Sequence, residues 1–180
     1  MVLGLSKNKR GIILGAREHK KHSIKNIGFA LVIVSDTRTE KNDASGMLMK
    51  ELITKAGHRV VGYKIVRNDK DEILSEALQL LSSNDVDAII FCGGTGISSK
   101  DVTIEAIKPI FDKELNGFGE IFRVLSMEEI GSAAIMSRAT AGVTKGKAIF
   151  CIPGSKGAVK LALEKLILQE CGHILWEVKR

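Results

Sequence analysis

Alternation of apolar runs with amphipathic segments constrains the fold of this chain more than any other feature. The first run, IGFALVIVSD (27–36), is continuous and rich in β-branched residues, which is typical of a strand covered on both faces. Two further predicted strands cover 58–66 and 86–94, and the predicted helices cover 42–57, 69–83 and 101–111. This order predicts an α/β fold with right-handed crossovers and a mainly parallel sheet.

The second half of the chain departs from this alternation. Residues 112–139 contain three glycines, and we expect only short helical pieces there. The stretch TAGVTKGKAIFCIPG (140–154) predicts two strands around a Lys145-Gly146 turn. Residues 153–167 predict a final helix.

The positive charge of the chain is concentrated near its N-terminus. The net charge is +6, and residues 1–25 carry seven Lys and Arg against Glu18 alone, so the charges of the remaining residues cancel. We therefore predict a flexible, solvated basic extension over 1–25 and a single domain over 26–180. Nucleic-acid binding by the extension is the less favoured alternative, because the extension has no aromatic residue for stacking on bases.

The cysteines and the apolar stretches indicate the compartment. Cys92, Cys151 and Cys171 form no CxxC pair, which argues against a disulfide framework and a structural zinc site. No apolar stretch approaches the ~20 residues of a membrane helix, and the N-terminus lacks the apolar segment of a secretory signal. We expect a cytoplasmic protein without a membrane segment.

Polar or glycine-rich sequences follow three of the predicted strands. They are Ser35-Asp36-Thr37-Arg38, Gly93-Gly94-Thr95-Gly96 and Pro153-Gly154-Ser155. The carboxyl ends of parallel strands line a ligand crevice, and backbone amides, hydroxyls and helix N-termini hold phosphate there. The glycine loop matches neither the dinucleotide fingerprint nor the P-loop pattern. The recurrence of such loops predicts a phosphate-binding crevice.

Asp101 follows the glycine loop, where a carboxylate would repel phosphate. Local alternatives exist: Ser98-x-x-Asp101 and Asp69-x-x-Glu72 have capping-box spacing, and Asp36 can form an Asx-turn. The functional interpretation is a Mg²⁺ ion, which is commonly held by one or two carboxylates together with phosphate oxygens. Phosphoryl or nucleotidyl transfer depends mostly on positioning and charge neutralisation. Asp101 is therefore a candidate metal ligand.

Six short motifs resemble, in their order, the MoaB/MogA family of molybdenum-cofactor biosynthesis: VSDTR, NDASG, CGGTGISSKDVTIEAI, NGFGEIFR, SRATAGV and IPGS. The resemblance covers roughly residues 27–170. The third domain of the MoeA molybdotransferase and the CinA N-terminal domain share the fold, but GGTG with NGFGE fits the MoaB/MogA branch better. The resemblance implies a three-layer α/β/α sandwich.

The resemblance also implies an activity. Active members are molybdopterin adenylyltransferases, which use Mg²⁺ and ATP to join AMP to the terminal phosphate of molybdopterin and release pyrophosphate. The completed cofactor carries molybdenum or tungsten. Members are trimers or hexamers, and residues 121–136 offer apolar surface for a subunit contact. A MoeA-type metal insertase is a candidate partner. The alternative is a non-catalytic molybdopterin-binding scaffold or carrier.

Site residues follow from the same resemblance. Gly93, Gly94, Thr95 and Gly96 would cradle substrate phosphate, and Asp101 would take part in metal-assisted transfer. Further pocket positions are Ser35, Asp36, Glu120, Ser137, Arg138, Pro153, Gly154 and Ser155.

Two positions depart from the family pattern. Active members carry a second aspartate after the second strand, where a gapless alignment places Asn68 next to Asp69. Asn68 can coordinate a cation through its carbonyl but brings no charge. Either Asp69 serves as the second catalytic, Mg²⁺-binding carboxylate, or transfer is weak. Lys156 replaces a usual proline, and it either contacts phosphate or points into solvent.

Overall fold

Six strands form one mixed sheet in the computed structural model, which describes residues 23–180. The strands are β1 (Gly28–Val34), β2 (Arg59–Val66), β3 (Ala88–Cys92), β4 (Lys113–Glu114), β5 (Thr140–Thr144) and β6 (Lys147–Ile152). Their order across the sheet is β2-β1-β3-β6-β5-β4. β2, β1, β3 and β6 are mutually parallel, and β5 runs antiparallel to both β6 and β4. The predicted mainly parallel sheet is confirmed.

Six α-helices accompany these strands within the described residues. They are α1 (Ala44–Lys55), α2 (Lys70–Leu81), α3 (Thr103–Ile107), α4 (Asn116–Ile130), α5 (Lys156–Ala162) and α6 (Leu168–Lys179). Short 3₁₀ segments over Lys108–Ile110 and Gly131–Met136 follow α3 and α4. A π-helical turn over Leu163–Ile167 joins α5 to α6.

Alternate residues of the central strands face two separate cores. All seven residues of β1 are buried, because β1 is covered on both faces. Its odd-numbered residues pack with α1, α4, α5 and α6, and its even-numbered residues pack with α2 and α3. The sheet therefore lies between two helical layers, which is the expected three-layer α/β/α sandwich.

The second half of the chain differs from the predicted short helical pieces. α4 is one continuous helix of 15 residues. Gly119 has a packing role and does not break the helix. A Cβ on this residue would lie 2.4 Å from the carbonyl oxygen of Ala139, so glycine lets the helix approach that segment closely. Gly131, with φ +61°, ends the helix. The predicted β5–β6 hairpin is present, with positive φ at both Lys145 and Gly146.

Three further predictions concern the basic extension, membrane segments and the cysteines. Most of the predicted basic extension lies outside residues 23–180, but Ile24 already donates its N–H to the Gly172 carbonyl (3.0 Å). No helix within the described residues combines the length and the apolar character needed to cross a membrane. Cys92, Cys151 and Cys171 are buried free thiols, and burial raises the pKa of Cys92 to about 12, so this thiol stays neutral.

The strand order places the polar loops at one edge of the sheet. The chain passes from β1 to β2 on one side and then to β3 on the other, so the connections diverge between β1 and β3. At such a switch point the carboxyl ends of the strands open a crevice. β6 lies next to β3, which brings the loop after β6 to the same crevice.

Candidate functional site

The glycine loop after β3 has a backbone that only glycine can adopt without strain. Gly93 has φ +106° and Gly94 has φ +62°. A Cβ on Gly93 would lie 2.4 Å from the Val34 carbonyl oxygen. A Cβ on Gly94 would lie 2.4 Å from Thr103 Oγ1 and 2.5 Å from Asn68 Oδ1. Both positions need glycine for conformation and for space.

Three carbonyl groups of this loop are held by donors from the protein. The Thr103 hydroxyl donates to the Gly93 carbonyl (2.8 Å), and the Thr103 N–H donates to the Gly94 carbonyl (2.9 Å). Arg138 Nη1 donates to the Gly96 carbonyl (3.1 Å). In a trans peptide the C=O and the following N–H point in opposite directions. The N–H groups that follow these carbonyls therefore point away from the donors.

Four successive N–H groups of the loop are candidate donors to a ligand. Within the part of the chain that the structure describes, the backbone N–H groups of Gly94, Thr95, Gly96 and Ile97 have no acceptor. Successive backbone N–H groups of this kind form an anion-binding concavity. The predicted phosphate cradle thus has the donors that it requires.

Asn68 lies at the centre of the crevice and contacts two aspartates. Its backbone N–H donates to Asp36 Oδ1 (2.9 Å), and its side-chain amide approaches Asp101 Oδ1 (3.5 Å). Asn68 Oδ1 is 3.5 Å from the Val102 N–H nitrogen. The structure therefore brings together the loops after β1, β2 and β3. Asp36 contacts Asn68 rather than forming the Asx-turn that its position allowed.

Asp101 closes the glycine loop and does not cap a helix. Its Oδ2 accepts the Ser98 N–H (3.2 Å), but α3 begins at Thr103 and has no side-chain cap. The bond from the Ser98 N–H is the side-chain half of the capping box that the spacing allowed, but it closes a turn before α3 and not the start of a helix. A Cβ on Gly96 would lie 2.7 Å from Asp101 Oδ2, which places the carboxylate directly against the loop.

Asp69 has the local role that its spacing allowed. It is the N-cap of α2, and its Oδ1 accepts the N–H groups of Asp71 (3.0 Å) and Glu72 (2.9 Å). Glu72 accepts the Arg67 N–H (3.3 Å) instead of completing a reciprocal box. Asn68, and not Asp69, occupies the position between the other two aspartates.

The loop after β6 is tied to the first loop by contacts that sequence reasoning missed. The Gly154 carbonyl accepts hydrogen bonds from Arg38 Nη2 (2.7 Å) and from the Ser45 hydroxyl (2.8 Å). Arg38 also pairs with the fully buried Asp43 (3.1 Å), which accepts the Tyr63 hydroxyl (2.8 Å). Burial and the bond to Asp43 raise the pKa of Tyr63, so its phenol remains a donor. NDASG contains two of these residues, but nothing in the sequence indicates Tyr63.

The remaining predicted residues surround the loop. The Ser35 hydroxyl accepts the N–H groups of the next turn, and Ser155 caps α5 by accepting the Ala158 N–H (3.2 Å). The Pro153 carbonyl accepts the Cys92 thiol (3.8 Å). Lys156 is exposed at the first residue of α5.

Two cavities flank the crevice. One of about 530 Å³ lies beside the β1 and β2 ends and is lined by residues that include Ser35, Asp36 and Tyr63. The other, of about 290 Å³, is lined by residues that include Glu120 and Arg138. Ser137 immediately precedes Arg138 and donates its N–H to the Ala134 carbonyl (2.9 Å). The first cavity thus lies at Asp36, which contacts Asn68, and the second lies at Arg138, which contacts the Gly96 carbonyl.

Among residues 23–180 no group of three or more His, Cys, Asp or Glu side chains is arranged to hold a metal ion. Asp36 and Asp101 nevertheless bring two carboxylates close to Asn68, and oxygen is the donor that Mg²⁺ prefers. The Asn68 amide turns its NH₂ group toward Asp101 and its Oδ1 toward the Val102 N–H. This donor set fits a cation that takes its remaining ligands from phosphate and water.

Comparison with known proteins gives a consistent result. A family model described as "Probable molybdopterin binding domain" matches residues 30–173. Molybdenum cofactor biosynthesis protein B of Bacillus cereus is 49% identical over 168 residues, which cover 93% of this chain and 99% of that protein. A molybdopterin adenylyltransferase of Pyrococcus furiosus is 45% identical over 168 residues, which cover 90% of this chain and 97% of that protein.

A solved structure supports the same assignment. The crystal structure of the tungsten cofactor synthesizing protein MoaB from Pyrococcus furiosus has a TM-score of 0.81 and 43% identity, and the match covers 88% of this chain and 100% of that chain. The family model, the relatives and the shared fold thus agree over most of the sequence. This chain belongs to the MoaB/MogA family of molybdenum-cofactor biosynthesis proteins.

Proposed function

We propose that this chain transfers the adenylyl group of ATP to the terminal phosphate of molybdopterin. An oxygen of that phosphate attacks the α-phosphorus of ATP, the bond from the α-phosphorus to the bridging oxygen breaks, and pyrophosphate leaves. The observation that carries the proposal is the run of four available N–H groups over residues 94–97 beside Asp101. The similarity to the molybdopterin adenylyltransferase of Pyrococcus furiosus supports it.

The residues of the crevice have different roles in positioning the substrates. The glycine loop binds and orients phosphate oxygens through its N–H groups. Asp36 and Asp101 would hold Mg²⁺, and Asn68 would join them once its amide turned its oxygen toward the ion. The ion would supply neutralisation of phosphate charge when it is bound. The contacts of Asn68 keep both carboxylates near the loop. Asp69 stays a candidate ligand only if its cap of α2 opens.

The two flanking cavities suit a reaction between two substrates. We propose that one substrate occupies the cavity at Ser35 and Asp36, and the other occupies the cavity at Glu120 and Arg138. Their phosphates would then meet at the glycine loop between them. Pro153, Gly154 and Ser155 border the loop from β6, since Gly154 lies against Gly93.

Incubation with molybdopterin and Mg²⁺-ATP tests this function directly. We expect adenylylated molybdopterin, detected by mass spectrometry, and one pyrophosphate per product. Asp101→Asn should lower kcat roughly a hundredfold, as does the loss of a group that stabilises the transition state, with little change in pterin affinity. Asp85→Asn, an exposed aspartate beside the β3 amino end, is the control. Absence of product from folded wild-type protein would contradict the proposal.

A non-catalytic molybdopterin scaffold is the second candidate. The observation that favours it is Asn68, since an amide between Asp36 and Asp101 leaves only two carboxylates in the crevice. Calorimetry with Mg²⁺-ATP separates the two functions. Binding followed by turnover supports the transferase, whereas tight pterin binding without any ATP binding supports the scaffold.

We also propose that the chain assembles as a trimer or hexamer. The surface available for this, here called the α4 face, consists of Ile121, Val124, Met127, Ile130, Ile135 and Met136, whose exposed fractions range from 51% to 85%. Contiguous apolar surface of this kind marks protein contacts.

We propose a cytoplasmic location, because the three buried free thiols suit a reducing compartment. A MoeA-type metal insertase would receive the adenylylated product.

A further inference from the structure

Glu105 contacts the only side chain that holds the Gly96 carbonyl in the described structure. It lies in the first turn of α3 and pairs with Arg138 Nη2. The other terminal nitrogen, Arg138 Nη1, donates to the Gly96 carbonyl (3.1 Å). The chain Glu105–Arg138–Gly96 therefore connects α3 to the phosphate-binding loop through residues 33 positions apart in the sequence.

Arg138 supports the loop with two of its five N–H donors. Both ends of its guanidinium fork are engaged, one by the carboxylate and one by the carbonyl. Partial burial alone would raise the pKa of Glu105, but the hydrogen bond and the charge of Arg138 lower it. Glu105 is therefore ionised at neutral pH, and a charged partner strengthens the bond that fixes the guanidinium.

The consequence for the loop follows from peptide geometry. The Gly96 carbonyl and the Ile97 N–H belong to one trans peptide and point in opposite directions. Fixing the carbonyl on Arg138 therefore also fixes the direction of the Ile97 N–H, which points away from the guanidinium. Thr103 does the same for the N–H groups of Gly94 and Thr95, by holding the two preceding carbonyls. α3 thus supports three of the four available N–H groups.

We propose that Glu105 is a positioning residue of the phosphate-binding loop, which acts through Arg138 to direct the Ile97 N–H toward substrate phosphate. This inference rests on the proposed function. The role belongs to the side chains of α3 and not to its dipole, because the helix has only five residues. Removal of the carboxylate frees the guanidinium to leave the Gly96 carbonyl.

Glu105→Ala and Glu105→Gln test the proposal in the full-length protein. We expect Glu105→Ala to raise the KM of the phosphate-bearing substrate roughly tenfold, the effect of weakening about one charge-assisted hydrogen bond, with a smaller effect on kcat. Glu105→Gln keeps an acceptor and should recover part of the loss. Lys179→Gln is the control, because it removes the Lys179–Asp87 ion pair (2.9 Å) far from the loop.

The amide resonance of Ile97 gives a second readout that does not depend on turnover. In ¹⁵N-labelled wild-type protein this resonance should shift when inorganic pyrophosphate is added. In Glu105→Ala it should start from a different position and respond less, whereas Lys179→Gln should match wild type. An unchanged KM and an unchanged Ile97 response in Glu105→Ala would overturn the role of Glu105. Absence of any response in wild type would instead overturn phosphate binding by the loop.

Discussion

The backbone N–H of Asn68 donates a hydrogen bond of 2.9 Å to the carboxylate of Asp36, and this bond joins the ends of two neighbouring strands. The side-chain amide of Asn68 lies 3.5 Å from Asp101 on the next strand end. An amide placed between two carboxylates relieves their repulsion without a metal ion. The same position occupied by a carboxylate would require a cation for that purpose.

Replacement of Asn68 by aspartate should make the crevice depend on divalent cations. In the variant Asn68→Asp three carboxylates would repel one another at neutral pH, which lowers Tm in the absence of metal. Mn²⁺ or Mg²⁺ should restore it, with a larger upward shift of Tm than in wild type. Thermal denaturation without metal and with Mn²⁺ at about a hundredfold its Kd measures this difference.

The control for this experiment is Asn84→Asp, which adds the same charge at an exposed loop on the opposite end of the sheet. An equal metal-dependent shift in Asn68→Asp and wild type would show that position 68 does not face a cation site.

Alanine at Gly94 and at Gly57 should separate backbone strain from lost binding. Both glycines have positive φ, +62° and +81°, so each substitution costs about 1 kcal/mol of backbone strain. Only Gly94→Ala places its Cβ against Thr103 and Asn68, whereas a Cβ on Gly57 would have nothing within 4 Å. We expect Gly94→Ala to abolish pyrophosphate binding and Gly57→Ala to retain it.

Urea denaturation gives the stability of both variants, and calorimetry gives the binding. Retention of binding in Gly94→Ala at wild-type affinity would contradict the assignment of the loop as the phosphate cradle.

His58 should make the free energy of unfolding fall at mildly acidic pH. Its Nδ1 accepts the Ile27 N–H (3.2 Å), and burial lowers its pKa in the folded protein. The unfolded state therefore binds its proton at a higher pH than the folded state does. The contribution of His58 to the free energy of unfolding is complete well above pH ~6.5. It is lost as the pH falls from the pKa of His58 in the unfolded chain toward its lower pKa in the folded protein.

Urea titrations at about pH 7.5 and pH 5.5 bracket this unfolded pKa. His58→Gln removes the titrating ring, so its stability should decline less between the two pH values than that of wild type. Parallel declines would show that other groups carry the dependence.

Ile135→Glu should dissociate the proposed assembly without unfolding the subunit. Ile135 is 85% exposed in the described chain, so a charge there meets solvent in the monomer and an apolar contact in an oligomer. Multi-angle light scattering should report a lower mass than for wild type, with unchanged circular dichroism. Leu78→Glu, on the 44% exposed apolar residue of α2, should leave the mass unchanged. A monomeric wild type would reject the assembly itself.

Local sequence patterns were sufficient for much of the architecture. The run 27–36 predicted β1, which the structure places over Gly28–Val34, because a strand covered on both faces must be apolar at every position. Glycines at 93 and 94 predicted the loop, since positive φ excludes most other residues. The same reasoning failed for α4, because Gly119 allows close packing of a continuous helix and does not mark a turn.

The tertiary structure alone decided which side chains meet. Asn68 contacts Asp36 and Asp101, and Glu105 reaches Gly96 through Arg138, because strands β2, β1, β3 and β6 lie side by side in that order. The hydrophobic period that reveals a strand contains no information about its neighbours in the sheet. The sequence by itself therefore determined the family, the glycine loop and the elements other than α4. The partners of Asn68, Tyr63 and Glu105 depend on strand order and on long-range packing, which no local pattern encodes.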